Sequence, residues 1–113
     1  MISPQDFETP EALLEEMKTR LLEKWGDHID RIVLYGSRAT GDARPDSDFD
    51  LLVVYRDDVS RREARRRFRN ALGELRPLAD LRVVTEEQFE AGRDVVGCLV
   101  EAADRSGRTL HGR

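Results

Sequence analysis

Two nearby segments of this chain carry residue types that can handle phosphate and a metal ion. Gly36 and Ser37 form one, and Asp48 and Asp50, on either side of Phe49, form the other after ten intervening residues. A glycine–serine turn offers backbone N–H groups and a hydroxyl to a phosphate. Carboxylate oxygens are ligands that suit Mg²⁺. No Gly-Lys-Ser/Thr follows the glycine, which excludes a P-loop and leaves a metal-assisted phosphate site as the prediction.

The apolar runs on both sides of these segments predict that they join two buried strands. One run covers residues 32–35 and ends at the turn, and the other covers 51–55 and follows the aspartates. Residues two apart in a strand point to the same face, so the side chains of Asp48 and Asp50 would project together, about 6.6 Å apart along the backbone. Phe49 would then point into a core. Two neighbouring carboxylates repel one another unless a cation lies between them.

A third carboxylate lies inside a later apolar run. Asp80 stands within a predicted strand at 78–84, where a charge is costly unless it faces a ligand or a partner. Three carboxylates on adjacent strands would form a divalent-metal site, and in two-metal sites the ions lie ~3.5–4 Å apart and hold the attacking and leaving oxygens. We predict that Asp48 and Asp50 bridge two Mg²⁺ ions. Asp80 would complete one of the ions and accept the proton of an attacking hydroxyl.

The remaining pattern predicts a single α/β domain over residues 1–113. Thr9, Ser60 and Thr85 are predicted helix caps, with Glu63 and Gln88 completing two capping boxes. A short helical turn is expected after Ser37. The longer predicted helices cover about 10–25, 60–75 and 85–105, the last interrupted near Gly92, and the strands cover about 30–35, 48–56, 78–84 and 108–111.

Composition narrows the class of protein. With 113 residues there is one modest core and little room for a separate acceptor-binding domain. A net charge of −4 and a pI near 5.2 argue against a dedicated nucleic-acid binder. One cysteine permits no intrachain disulfide, and neither a signal peptide nor an apolar run of membrane-spanning length is present, so a cytoplasmic protein is expected.

Arginines are concentrated in the second long helix, over residues 61–69. They form either a basic patch for RNA or an acidic partner, or a solvated helix face. We favour the solvated face, with Glu63 paired to Arg67 one turn later.

The residues from Gly36 to Gly41 and from Pro45 to Val54 resemble the minimal nucleotidyltransferases of the DNA polymerase beta superfamily. Asp80 falls where that family has its third carboxylate. The segment 107–112 resembles the family's closing Gly-Arg-Val-Leu-Tyr, with His111 in place of the tyrosine. The similarity therefore covers roughly residues 25–112 and implies the nucleotidyltransferase fold, a small mixed sheet of three to four strands flanked by helices.

This resemblance implies a magnesium-dependent transfer of AMP from ATP to a hydroxyl. Many short members of the family are antitoxins that modify a tyrosine of a HEPN-domain toxin, which implies a hetero-oligomer in which the partner supplies the acceptor. In such an enzyme Gly36, Ser37 and Arg38 would bind the nucleotide. Asp48, Asp50 and Asp80 would be the metal ligands and catalytic residues.

Two other functions remain open from the sequence. The chain could be a non-catalytic module that neutralises its partner by occlusion, although a purely structural role gives no reason to retain three clustered acids. It could instead modify a small molecule such as an aminoglycoside, although such enzymes generally carry an added domain. Toxin neutralisation by an Asp48→Ala/Asp50→Ala variant would support the first, and activity on an antibiotic without a partner would support the second.

Overall fold

The structure is a computed structural model that describes residues 7–56, 58–93, 95 and 98–112. The described residues form a mixed α/β fold with one sheet. Its helices are α1 (Pro10–Trp25), α2 (Ser37–Thr40), α3 (Arg61–Leu72), α4 (Glu86–Gly92) and α5 (Leu99–Ser106), and its strands are β1 (Ile29–Tyr35), β2 (Phe49–Tyr55), β3 (Ala79–Thr85) and β4 (Arg108–His111). Two 3₁₀ segments, Gly26–His28 and Gly73–Leu78, lead into β1 and β3.

The sheet has the strand order β3-β2-β1-β4. β1 is antiparallel to both β2 and β4, whereas β2 and β3 are parallel. This confirms the predicted small mixed sheet. Because β1 runs opposite to β2 and β3, the end of β1 lies beside the beginnings of the other two strands. The turn at Gly36 and the carboxylates at the starts of β2 and β3 are thereby brought to the same end of the strands.

Helices cover both faces of the sheet, which explains why the central strands read as unbroken apolar runs. Phe49, Leu51 and Val53 of β2 belong to a core shared with α1 and α3. Leu52 and Val54 face the other way and pack with α4 and α5. As predicted, Phe49 points into a core, where it is 1% exposed. In the part of the chain that the structure describes, no helix is long and apolar enough to cross a membrane.

Two of the predicted helix caps are confirmed in full. The Thr9 hydroxyl accepts a hydrogen bond from the amide of Ala12 at the start of α1. Thr85 and Gln88 form a reciprocal capping box at α4, with bonds of 2.9 and 3.1 Å. Each cap satisfies N–H groups that have no partner in the first helical turn, so it sets where the helix begins.

At the start of α3, the structure shows one of the two hydrogen bonds of the predicted capping box. The Ser60 hydroxyl accepts a bond from the Glu63 amide at 3.1 Å. The Glu63 carboxylate binds Arg66 at 2.7 Å and Arg67 at 2.9 Å. The predicted pairing of Glu63 with Arg67 is therefore confirmed. Two guanidinium groups offer this carboxylate charge-assisted bonds, which are stronger than a bond to a backbone amide.

The structure ends α3 earlier than predicted, and it divides the last predicted helical region into two helices. The α-helical part of the predicted 60–75 helix ends at Leu72, because Gly73 follows with φ of 57°. The chain then continues as a 3₁₀ segment that contains Pro77. The predicted 85–105 helical region is two helices, interrupted after Gly92 as expected, and residues 94, 96 and 97 of this region lie outside the described residues.

Candidate active site

The candidate site lies where β1 ends and where β2 and β3 begin. Tyr35, the last residue of β1, is opposite Asp50 of β2. Asp50 is in turn opposite Asp80 of the parallel strand β3. Residues paired in register in a sheet point to the same face and lie about 5 Å apart. The two carboxylates that are distant in sequence are therefore direct neighbours on the face that packs with α4 and α5.

Gly36 is required at the turn that follows β1. Its φ of 72° and ψ of −156° lie in a region that is essentially restricted to glycine. A Cβ atom added here would also overlap the Oδ2 atom of the Asp50 carboxylate. The absence of a side chain thus lets the turn pass directly against Asp50, and this contact ties the predicted phosphate segment to the predicted metal ligands.

The turn continues into α2, as predicted from the residues that follow Gly36. The amide of Ala39 binds the carbonyl of Gly36 at 3.0 Å, and that of Gly41 binds the carbonyl of Ser37 at 3.1 Å. The first amides of a helix have no carbonyl one turn earlier to bind. Ser37 is the first residue of α2 and is partly exposed, so its hydroxyl and amide are available to a ligand at this end of the strands.

Arg38 is held against the loop that connects α2 to β2. Its Nη2 and Nε atoms donate to the Ser47 carbonyl at 2.7 and 3.2 Å, and Nη2 also lies 3.3 Å from the Pro45 carbonyl. The guanidinium lies over the Phe49 ring at 4.4 Å. Arg38 thus binds the backbone just before Asp48 and the ring of the residue after it, and Asp48 itself is exposed just before β2 begins. A direct contact of Arg38 with a nucleotide stays a prediction.

Burial and neighbouring charges both act on the carboxyl group of Asp50. The pKa of Asp50 is raised above its usual value, first by burial, then by the negative charges of Asp80 and Asp48, with Arg82 acting in the opposite direction. The charges of the two other predicted carboxylates therefore both act on Asp50. A positive charge placed among them would remove the repulsion.

Two residues that the sequence analysis missed contribute to this site. Arg82 lies two residues after Asp80 on the same face, and its Nη2 atom is 3.7 Å from Asp80 Oδ2. Tyr35 has its pKa raised to about 12, mainly by burial and then by Asp50. The alternation of side chains along β3 is the sequence signal that would have placed Arg82 beside Asp80.

The donor set fits a hard divalent cation by its chemistry, since it supplies carboxylate oxygens. Burial, and then the charges of Asp80 and Asp48, raise the pKa of Asp50. Within residues 7–56, 58–93, 95 and 98–112, no three His, Cys, Asp or Glu side chains are arranged to hold a metal ion. The side chains of Asp50 and Asp80 are adjacent. The prediction that Asp48 belongs to the same strand as Asp50 is wrong, because β2 begins at Phe49 and Asp48 lies on the preceding loop. The assignment of all three as magnesium ligands stays a prediction.

Comparison with known proteins identifies the family. A family model described as a nucleotidyltransferase domain matches residues 14–102. The curated "Putative protein adenylyltransferase MJ1305" of Methanocaldococcus jannaschii is 31% identical over 99 residues, which are 88% of this chain and 60% of that protein. This chain therefore spans about three fifths of the length of that relative.

Two solved structures are also similar. The crystal structure of a "putative nucleotidyltransferase" from Sulfolobus solfataricus matches with a TM-score of 0.60 and 16% identity, and the match covers 91% of this chain and 86% of that one. This likeness shows the fold. A toxin–antitoxin structure with AMP-PNP matches with a TM-score of 0.49 and 23% identity over 88% of this chain and 73% of that one, a likeness too distant to carry an argument.

The matched range of the family model covers most of the chain. It includes the turn at Gly36 and the carboxylates Asp48, Asp50 and Asp80, which the fold brings to the same end of the strands. The chain belongs to the nucleotidyltransferase domain family.

Proposed function

We propose that this nucleotidyltransferase transfers AMP from ATP to a hydroxyl group of a partner protein, with Mg²⁺ as cofactor. The observation that carries the proposal is the pairing of Asp50 with Asp80 on parallel strands, directly against the turn at Gly36. A nucleotidyl transfer requires the phosphate-binding group and the metal-binding carboxylates to act on the same phosphate. The position of Asp50 directly against the turn at Gly36 supports this assignment.

In the proposed site, Gly36 and Ser37 bind the triphosphate, and Asp48, Asp50 and Asp80 hold Mg²⁺. Bound Mg²⁺ would neutralise charge on the triphosphate and lower the pKa of the acceptor hydroxyl. The three carboxylates would hold the cation beside the turn that would bind the phosphates.

The proposed reaction is an in-line displacement at the α-phosphorus of ATP. The acceptor oxygen forms a bond to this phosphorus, the bond from phosphorus to the α,β-bridging oxygen breaks, and pyrophosphate leaves. Asp80 accepts the proton of the acceptor hydroxyl. The Asp80 side chain is 42% exposed, so an acceptor can approach it from solvent.

The acceptor in this proposal is a HEPN-domain toxin, for which the chain acts as the antitoxin. The resemblance of residues 36–54 to short antitoxins of this family supports this assignment, and the name of the Methanocaldococcus relative supports a protein acceptor. The exposure of Asp48 and Asp80 supports an acceptor that is presented by another molecule.

The test follows the α-phosphate of ATP. The purified chain is incubated with ATP labelled at that phosphate, with Mg²⁺, and with a co-expressed HEPN-domain protein from a neighbouring gene. The proposal expects label on a hydroxyl of that protein and its loss when magnesium is chelated. Asp50→Asn and Asp80→Asn should abolish labelling, whereas Asp46→Asn, an exposed acid of the same loop, should not.

Four outcomes separate the parts of the proposal. Label on a protein that is not a HEPN toxin would retain the transferase and reject the antitoxin role. Equal labelling by the wild-type protein and by Asp50→Asn would reject the assigned site. Label on an aminoglycoside without any protein acceptor would favour the small-molecule enzyme, and toxin neutralisation by a folded Asp50→Asn variant would favour occlusion.

A further inference from the structure

A groove runs along the outer side of β3 and begins at the candidate active site. Asp80 lies at its start, Leu81 to Val84 form its floor, and Arg61 and Arg65 of α3 stand beside it. In the described part of the chain, β3 is an edge strand that pairs with β2 alone. The groove therefore connects Asp80 with an unpaired strand edge.

The two arginines beside the groove are available for an anionic ligand. Elsewhere on α3, Arg66 and Arg67 share the single carboxylate of Glu63. Among the described residues, no carboxylate lies within ion-pairing distance of Arg61 or Arg65, and both residues are exposed. The chain has a net charge of −4, so these unpaired positive charges form a local exception.

The backbone of β3 favours an extended ligand. The Leu81 carbonyl accepts a hydrogen bond from Arg65 Nε at 3.2 Å, which shows that it points away from β2. Backbone groups of a strand alternate between its two edges, so Val83 presents its N–H and carbonyl to the same outer edge. Because Arg65 holds the Leu81 carbonyl, the backbone groups of Val83 are the ones that can bind an extended peptide added to the sheet as a further strand.

We propose that this groove binds an extended acidic segment of the acceptor protein and guides its hydroxyl to Asp80. The assignment of the bound hydroxyl as the AMP acceptor rests on the proposed function, whereas binding of the acidic segment does not. A peptide is favoured over RNA because, among the described residues, none of the side chains that line the groove is aromatic and able to stack on a base. A peptide also supplies the backbone groups that the edge of β3 can pair with.

The test measures binding and transfer with the same ligand. A fluorescent peptide with one tyrosine flanked by glutamates is titrated with the full chain, and its anisotropy gives Kd. Matched probes are the same peptide with lysines in place of the glutamates, the acidic peptide with alternate N-methylated amides, and a single-stranded RNA. Labelled ATP with Mg²⁺ then gives KM for each peptide and for ATP.

Arg61→Glu is the informative variant, because a glutamate at the first position of α3 suits the helix dipole and should preserve folding. The control is Arg56→Glu, which makes the same charge change at a 68% exposed residue just beyond the far end of β2. We expect Arg61→Glu to raise Kd and KM for the acidic peptide about five- to tenfold, the effect of replacing an attractive exposed pair by a repulsive one. KM for ATP should not change, and Arg56→Glu should leave every constant near that of the wild-type protein.

The outcomes distinguish this inference from the proposed function. Binding of the acidic peptide that depends on Arg61, without transfer of AMP, would support the groove and reject the assignment of the bound hydroxyl as the AMP acceptor. Equal binding of the acidic and lysine peptides, or equal Kd for Arg61→Glu and Arg56→Glu, would overturn the groove even if transfer occurs. The groove would also be overturned as a peptide site if RNA bound more tightly than the acidic peptide and Arg61→Glu abolished the binding of RNA. Undiminished binding of the N-methylated acidic peptide would reject strand addition.

Discussion

Replacing Gly36 by alanine should abolish nucleotidyl transfer while leaving the protein folded. The alanine must adopt φ of 72° and ψ of −156°, a conformation that costs about 1–3 kcal/mol for a residue with a side chain. Its Cβ atom would also overlap Asp50 Oδ2, so either the carboxylate or the turn must move. A displacement of about 1 Å in a catalytic constellation can lower the rate about hundredfold. We therefore expect at least that loss in AMP transfer.

Gly41→Ala is the matched control at the other end of the same short helix. Gly41 also has a positive φ, of 87°, but a Cβ atom there would have no neighbour within 4 Å. Its left-handed conformation costs an alanine about 1–2 kcal/mol. Both variants should thus lose stability, and each kcal/mol should lower Tm by about 4 °C in a domain of this size. Only Gly36→Ala introduces the clash with Asp50.

The assay combines thermal unfolding with incorporation of labelled AMP at a temperature where both variants remain folded. Similar losses of activity in the two variants would refute the reasoning, because strain in the turn would then explain the effect without Asp50. Wild-type activity in a folded Gly36→Ala protein would refute the placement of the turn against the carboxylate. A urea denaturation curve for each variant checks that comparable fractions of the protein are folded.

Three further substitutions test individual contacts. Asp50→Asn should raise the free energy of unfolding by up to about 1 kcal/mol, a small gain because solvent screens this partly exposed carboxylate. Because the folded-state pKa of Asp50 is raised, the wild-type protein becomes less stable as pH rises from about 4 toward that pKa. Thermal unfolding at several pH values should show that the variant lacks this fall in stability. Arg38→Lys keeps the charge but loses the paired contacts with the Ser47 carbonyl. Proteolysis of the loop at Ser47 should therefore accelerate, and the rate of AMP transfer should fall about tenfold. An unchanged proteolysis rate and an unchanged transfer rate would favour a simple charge contact with phosphate. Thr85→Ala removes the capping box formed with Gln88 and should cost about 1 kcal/mol in denaturant unfolding, with transfer by the folded protein unchanged.

Local patterns in the sequence predicted most of the elements. The central strands were evident because both of their faces are covered, which requires continuous apolar runs such as that from Leu51 to Tyr55. The helix starts at Thr9 and Thr85 were evident because a cap acts through residues that are close in sequence. The end of α3 was less evident, because Leu75 stays buried in the 3₁₀ segment after the α-helix has ended.

The sequence by itself determined which side chains could share a face of a strand and what chemistry they could perform. Asp50 and Phe49 must point to opposite sides because successive residues of a strand alternate, and this holds in any tertiary arrangement. The glycine–serine turn and the carboxylates could therefore be assigned to phosphate and metal chemistry before their distances were known.

Only the tertiary structure decided that these groups meet. Asp80 lies opposite Asp50 because β3 pairs with β2 in parallel and in one register, which depends on packing of the whole core. The same packing brings Arg82 into the electrostatic environment of Asp50 and directs Arg38 to the backbone of its own loop. Contacts between distant residues depend on how helices and strands pack, and local spacing carries no information about that arrangement.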